Sequence, residues 1–570
     1  MILGVNFAVA PGNLAARSVF CRFRMPIKPL QTSETPPKKG SRTSSLREQS
    51  FWLLTAKIVG FAFSFCVPLV VVRYLPQDEV GHYRAAFLVI ANAIIVVPLG
   101  VSMSAYYFLA RETEERRSSC ILNILVFNFV VGGIAALFLY LFPQSIGSIF
   151  QSAEITRLAP LIGIVIWIWI FSSFLETVAI ANQEARVATV FIISAQFTKA
   201  LSMCTAAFAF ATVEAFLYAA VIQGAIQTLL LAWYLTSRFP GFWRRFDLAF
   251  LREQLVYAVP FGVAGTLWLA QTEIHSWFAG HRFSPADFAV YAYGCFEIPL
   301  IAMLAESVTA VLIPRMNVLH GDNDRDEMVR LKARAMQKLS FIYFPVYVFL
   351  LITANTFITT LFTQKYAASA SVFVVNITLL PFSILITDPI VRSYKELGRV
   401  FLLTRLFIVA GLVSCLYFML DEISMTGMIG LAVGAVVVDK LVAEAMVIRK
   451  LHLGVKDLPL LASVAKTAFA SIVAGIATYL VYTNFHSNLF AAAESFLSTS
   501  AGITKASIVH FVSGAFVLGV SALAFAPIYL IVANLFGLIE DEEKDTVRRI
   551  ASKLLPRNDR VGDEVRTSAL

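Results

Sequence analysis

Charge is scarce in this chain. Asp, Glu, Lys and Arg make up 15% of its 570 residues, while 58% are hydrophobic. A soluble domain needs a largely polar surface, and no stretch between apolar runs is long enough to supply one. The six cysteines (Cys21, Cys66, Cys120, Cys204, Cys295 and Cys415) show no Cys-x-x-Cys spacing. They read as small packing residues, not as a disulfide set or a thiolate metal site. The seven histidines are scattered without metal-ligand spacing. A glycine-rich phosphate loop is missing, which argues against an ATP-driven pump. Neither a cofactor nor a metal is expected.

What the chain has is apolar runs. Fourteen are long enough to cross a bilayer: 50–72, 83–109, 119–141, 157–180, 187–211, 214–236, 254–279, 286–314, 339–362, 368–391, 400–419, 427–448, 460–482 and 507–535. A helix needs about 20 such residues to span the hydrocarbon. The expected fold is therefore an all-α polytopic membrane protein. Basic residues fix its orientation. Of the 46 Lys and Arg, 35 lie in the two tails and the even-numbered gaps, six in the odd-numbered gaps and their edges, and five within spans. Lys and Arg are retained on the cytoplasmic side during insertion, so both termini are expected there. The net charge of +9 comes from residues that flank spans. It reads as topology and contact with anionic headgroups, not as nucleic-acid binding.

The segment before the first span begins with a short apolar run, Met1–Ala10, but its basic residues follow that run instead of preceding it. A secretory signal has the opposite order. Residues 1–49 read as a disordered cytoplasmic tail, with the turn-rich Pro36-Pro37-Lys38-Lys39-Gly40 inside it. The tail at 536–570 mixes both signs, and Glu540–Leu555 reads as a short surface helix.

A repeat organises the spans. Arg73-Tyr74-Leu75-Pro76-Gln77-Asp78 follows span 1, and Arg282-Phe283-Ser284-Pro285-Ala286-Asp287 follows span 7. Both fit R-[YF]-x-P-x-D, and Tyr83 and Tyr291 follow them. In each, Pro ends the outgoing helix and Asp is expected to cap the incoming one. The offset of 209 residues equals six spans. Residues 50–236 and 254–449 are then two six-span lobes of like topology, related by an axis along the membrane normal, with 460–535 an appended pair.

The turn Arg73–Tyr83, Pro98-Leu99-Gly100-Val101-Ser102 and Tyr107-Phe108-Leu109-Ala110-Arg111 resemble polysaccharide-biosynthesis flippases of the Wzx type. These belong to the multidrug/oligosaccharidyl-lipid/polysaccharide (MOP) exporter superfamily. The resemblance is sharp over roughly residues 50–120 and rests elsewhere on the 6+6+2 layout. It implies a transporter, not an enzyme, in the bacterial plasma membrane. Its cargo would be a polyprenyl-pyrophosphate-linked oligosaccharide, moved from the inner to the outer leaflet by alternating access for lipopolysaccharide or exopolysaccharide. Implied partners are that lipid-linked oligosaccharide, the bilayer and other polysaccharide assembly proteins.

Polar residues inside spans are the candidate site, because a charge in hydrocarbon is costly and faces a cavity or a partner. Lys57 lies roughly 10 Å from the cytoplasmic edge, and Glu306 is nearly level with it in span 8. If both spans line the cleft, the two pair when the site is empty. Lys199 sits near the middle of span 5, with Gln196 on the same face. Glu273 and His275 point to different sides of span 7, and Glu273 is the one expected in the cavity. Arg405 and Lys466 are close enough to an edge to snorkel. Glu444, four residues after Lys440, is expected to satisfy it, with Asp439 beside it. Glu176, Glu297 and Asp388 complete the charged set, and Asp388-Pro389 marks a helix break. Pro68, Pro98, Pro260, Pro299, Pro345, Pro381 and Pro527 are hinge candidates.

Cations on the cavity wall would replace the hydration lost by the pyrophosphate. Asn92, Gln196, Gln223 and Gln271 would meet sugar hydroxyls, with helix–helix hydrogen bonds as the plainer alternative. Three other functions compete. A cation-coupled exporter of the same superfamily usually has twelve spans and shorter tails. A peptidoglycan-precursor flippase also has fourteen spans but typically places several Arg in its first helices, whereas span 1 here has only Lys57. A membrane polymerase or ligase carries a large periplasmic loop with catalytic residues. The longest outer gap here, 483–506, holds only Glu494, Lys505 and His486 as titratable groups.

Overall fold

In a bilayer core, backbone amides find no water, so a run of apolar residues closes its own hydrogen bonds as a helix. The computed structural model describes residues 46–500 and 506–539, all helix, turn or bend with no strand. The tails expected at 1–49 and 536–570 lie outside the described residues save for their inner edges. The surface helix expected at Glu540–Leu555 lies wholly outside.

The principal helices are α1 (Leu46–Tyr74), α2 (Gln77–Val96), α3 (Glu114–Leu141), α4 (Ala153–Ser172), α5 (Phe174–Ala181), α6 (Ala185–Ala209), α7 (Val213–Arg238) and α8 (Leu248–Arg282). They continue with α9 (Pro285–Gly294), α10 (Pro299–Gly321), α11 (Arg325–Phe362), α12 (Ser369–Ile377), α13 (Lys395–Phe418), α14 (Met425–Lys450), α15 (Ala462–Ser495) and α16 (Ala506–Leu535). Several start under a side-chain cap. Ser152, Thr212, Asp247, Ser284, Asp324 and Ser424 each accept from the backbone N–H three residues on. Those first amides have no intrahelical acceptor, so the cap fixes where the span begins.

Twelve helices among the described residues are long and apolar enough to cross a membrane. The chain is a multi-pass membrane protein, but the count of fourteen is not met. The expected span 368–391 is broken into Ser369–Ile377, Leu379–Phe382 and Asp388–Ser393, so the break falls just before Asp388-Pro389. The expected span 427–448 is the continuous helix α14, whose apolar run is interrupted by Asp439, Lys440 and Glu444. Two more spans are interrupted. Pro98 ends α2, and Leu99 and Gly100 take φ of 48° and 72°, a left-handed step that no helix contains. Span 8 is divided into α9 and α10 between Cys295 and Ile298, just before Pro299.

Packing gathers these helices around close approaches. α1 lies along α6, α3 along α4, and α15 and α16 lie on one another and on α11. The approach that matters most for the site joins α2 to α9. A Cβ on Gly81 would stand 1.9 Å from the Pro285 carbonyl oxygen, so only glycine admits this contact. The two turns of the repeat are thereby brought side by side.

The turns are built differently from expectation. Pro76 is the N-cap of α2 and makes no side-chain cap. Ser284 caps α9: its hydroxyl accepts from the Asp287 N–H and donates to the Asp287 carboxylate at 2.7 Å. The aspartates therefore sit in the first helical turn, where the partial positive charge of the N-terminus favours them, and not at the cap.

Candidate functional site

Helices of the first six expected spans meet helices of the next six through polar contacts at both ends. At the end that carries the two turns, three side chains of the first group reach main-chain carbonyls of the second. The Arg73 guanidinium donates to the carbonyls of Leu361 at 2.9 Å and Thr360 at 3.1 Å, at the C-terminus of α11. Gln77 donates to the Lys365 carbonyl at 2.9 Å. Arg84 donates to the Ala292 carbonyl at 3.1 Å and covers the Tyr293 ring at 5.0 Å. Every acceptor here is a main-chain oxygen near a helix C-terminus, where partial negative charge favours a cation.

At the opposite end several side chains also join the two sides: Arg116 pairs with Glu253, Arg245 with Glu115, and Gln254 donates to the Ser104 hydroxyl and the Cys120 carbonyl. α8 begins against α3, with Asn123 donating to Gln254 at 3.0 Å and to the Asp247 carbonyl at 2.9 Å. Between α1 and α10 the polar contact is Lys57 to Glu306 at 3.4 Å, with side chains 37% and 44% accessible. Glu176 on α5 lies within electrostatic range of Lys57, and Tyr106 within range of Glu176. Lys57, Glu306, Glu176 and Tyr106 therefore share one neighbourhood at this end.

The remaining candidates are not gathered at that point. Lys199 sits inside the bundle with its ammonium 4.9 Å from the Trp169 ring centroid, and Trp169 donates to the Ala220 carbonyl. Gln196 accepts from the Ser64 hydroxyl at 2.7 Å, which ties α6 to α1. Gln223 donates to Gln227 within α7. Asn92 is buried on α2. Gln271 is fully buried, and neither of its amide atoms has a hydrogen-bond partner among the described residues. Glu273 is half-buried and in electrostatic range of Glu297 and Arg84. His275 turns away from it and meets the Tyr291 hydroxyl at 2.7 Å.

Three charged residues are placed otherwise than the sequence reading expects. Glu444 does not satisfy Lys440: it pairs with Lys332 of α11, a buried lysine that the reading assigns to a gap. Arg405 does not snorkel. It pairs with Asp439 at 2.8 Å, with side chains only 18% and 5% accessible, and lies over Trp268 and Phe401. Arg84, counted at a span edge by the reading, instead bridges α2 and α9. Its signal was its position one turn into an apolar helix that also bears the turn motif. No group of three or more metal-binding side chains occurs among the described residues.

The fold has solved counterparts. It is similar to lipid II flippase MurJ in an inward closed conformation, with a TM-score of 0.64 at 15% identity, over 85% of this chain and 98% of that one. It is also similar to an inward-facing multidrug resistance MATE-family transporter of the MOP superfamily, with a TM-score of 0.55 at 14% identity, over 72% of this chain and 98% of that one. An outward-facing MATE-family transporter matches with a TM-score of 0.51 at 15% identity, over 73% of this chain and 97% of that one. At these identities the likeness is one of fold. No curated protein sequence matches the chain. Residues 44–371, more than half of the chain, match the family model described as polysaccharide biosynthesis protein, and the chain belongs to that family.

Proposed function

We propose that this chain is a flippase. It carries a polyprenyl-pyrophosphate-linked oligosaccharide from the inner to the outer leaflet of a bacterial plasma membrane, with both termini cytoplasmic. The observation that carries the reading is the loose Lys57–Glu306 pair, which joins α1 to α10 at the end opposite the two turns and leaves both side chains more than a third accessible. The turn end is then the outer mouth, and the Lys57 end opens to the cytoplasm, where the substrate is made. The 6+6+2 division into two lobes and an appended pair belongs to the same reading.

Lys57 is the first cation the head group meets. A pyrophosphate brings about two negative charges, and it displaces Glu306 because an exposed pair is worth only about 0–1 kcal/mol. Deeper in, Gln271 and Glu273 of α8 come next, and Arg84 is the cation at the outer mouth. Sugar hydroxyls would meet Asn92 and Gln271, and Lys199 with Gln196 would sustain the α1–α6 wall that Lys57 stands on. The prenyl chain stays among the helices in lipid. Alternating access follows: the outer contacts release as the Lys57 end closes.

Transport in cells lacking the chromosomal copy tests the reading. Lys57→Ala is expected to abolish surface polysaccharide at wild-type protein level, and Lys57→Arg to keep part of it, since a point charge is what the contact needs. Full polysaccharide from Lys57→Ala would remove Lys57 from the path.

A further inference from the structure

The helices α15 and α16 lie outside the two six-span repeats of the proposed layout, yet they reach the outer mouth. α16 packs closely on α11. A Cβ on Gly514 would stand 2.0 Å from the Thr360 hydroxyl oxygen, so the two helices touch at the residue whose carbonyl takes the Arg73 hydrogen bond. Along the same seam Tyr529 donates to the Phe341 carbonyl at 2.8 Å, and Thr356 bonds to Tyr482 at 2.6 Å and His486 at 2.9 Å. The pair is therefore fixed to α11 along its length. About one turn before Gly514, Phe511 places its ring 5.3 Å from the Arg73 guanidinium carbon.

We propose that the appended pair α15–α16 is a brace on the outer mouth: Phe511 of α16 holds the Arg73 guanidinium against the C-terminal carbonyls of α11, and this clamp keeps the mouth shut until substrate opens it. The physical chemistry is specific. A guanidinium donates in its own plane and is attracted to an aromatic face above that plane, so one side chain takes both partners together. Its donors go to Leu69, Thr360 and Leu361 carbonyls, and the ring covers a face that would otherwise be hydrated. Partial burial of the guanidinium strengthens both interactions. α1 moves with one half of the molecule and α11 with the other, so opening the mouth breaks the hydrogen bonds and the stacking together. The appended pair thereby sets the closed-to-open ratio without contacting the cargo. Thr360 and Ser513 hydroxyls and His510 Nε2 are buried at this junction without hydrogen-bond partners among the described residues. The junction therefore gains its hold from the Arg73 clamp and close packing, not from a side-chain network of its own.

The inference rests on the alternating-access reading, and one experiment separates the two. Spin labels at Asp78→Cys and Ala286→Cys, on a background lacking native cysteines, report the distance between the two turns by pulsed electron resonance in nanodiscs. Phe511→Leu keeps bulk and removes the ring, and it should raise the long-distance population about three- to tenfold, the range a partly desolvated cation–π contact allows. Phe511→Tyr keeps the ring and should leave the distribution as in the parent. Arg73→Lys should behave as Phe511→Leu, and thermal unfolding of all three should stay near the parent. A distribution in Phe511→Leu identical to the parent overturns the brace. If no variant, with or without undecaprenyl pyrophosphate, ever shows a long distance, then the outer mouth does not open and the alternating-access reading fails first.

Discussion

The Lys57 ammonium and the Glu306 carboxylate meet at 3.4 Å between α1 and α10, from residues 249 positions apart in the chain. The contact is loose, and both side chains are more than a third accessible. Such a pair contributes about 0–1 kcal/mol, so it opens readily and holds Lys57 in place until an anion arrives. Glu306→Gln should therefore free Lys57 and tighten binding of undecaprenyl pyrophosphate by up to about fivefold, the ratio that 1 kcal/mol gives. Calorimetric titration of purified protein checks this. Weaker binding by Glu306→Gln would mean that the carboxylate itself touches the cargo.

The pairs Arg405–Asp439 and Lys332–Glu444 resemble Lys57–Glu306 on paper and differ in burial. The side chains of Arg405 and Asp439 are 18% and 5% accessible. Removing one partner strands the other charge in the bundle, at a cost of about 3–5 kcal/mol. Asp439→Ala should lower the unfolding temperature in detergent markedly, and Arg405→Met with Asp439→Leu should recover most of it, since replacing both charges leaves none unpaired. An unchanged unfolding temperature in Asp439→Ala would show that Arg405 finds water or another partner.

These pairs also mark the limit of what the sequence discloses. Spans, the paired turns and the break near Asp388 were legible because apolar length, proline and aspartate act locally. The partners of Glu444 were not. An i, i+4 rule pointed to Lys440, but a helix neighbour only 0.2–0.5 kcal/mol better than solvent yields to a buried tertiary partner, and Lys332 lies 112 residues away. The same distance problem hid Arg84: its acceptor, the Ala292 carbonyl, belongs to the other repeat. The break at Leu99-Gly100 was readable from Pro98, yet the apolar run on both sides suggested continuity. Of the site, Lys57 with Glu306 was foreseeable because equal depth in two spans is a geometric argument. Nothing local placed Lys199 beside Trp169.

Topology gives a prediction independent of any cargo. If the turn end is periplasmic, a cysteine at Ser498, exposed just beyond α15, should react with a membrane-impermeant maleimide in intact cells. A cysteine at Asn323, exposed in the turn between α10 and α11, should react only after permeabilisation. Both belong on a background without the native cysteines. Labelling of Asn323→Cys in intact cells, with Ser498→Cys silent, would invert the molecule and place the Lys57 mouth outside.

The outer contact between α2 and α9 supports a final prediction about mechanism. Gly81 lies against the Pro285 carbonyl so closely that any Cβ must push the helices apart. Gly81→Ala should therefore shift the molecule toward the outward-open state and lower transport, while a cross-link should do the reverse. Cysteines at Asp78 and Ala286 stand one in each turn, next to this contact. A disulfide tolerates Cα separations only up to about 7 Å, so once formed, directly or through a short bifunctional reagent, it pins the outer mouth shut. Transport should stop on cross-linking and return on reduction, with protein level and Lys57→Ala binding controls unchanged. In the proposed cycle the two turns must separate each time, because a head group with several sugars cannot leave through a contact in which a single methyl group does not fit. Transport at the full rate with the cross-link complete would mean that the cargo leaves by another route, and the rocking of two repeats about the cleft would have to be given up.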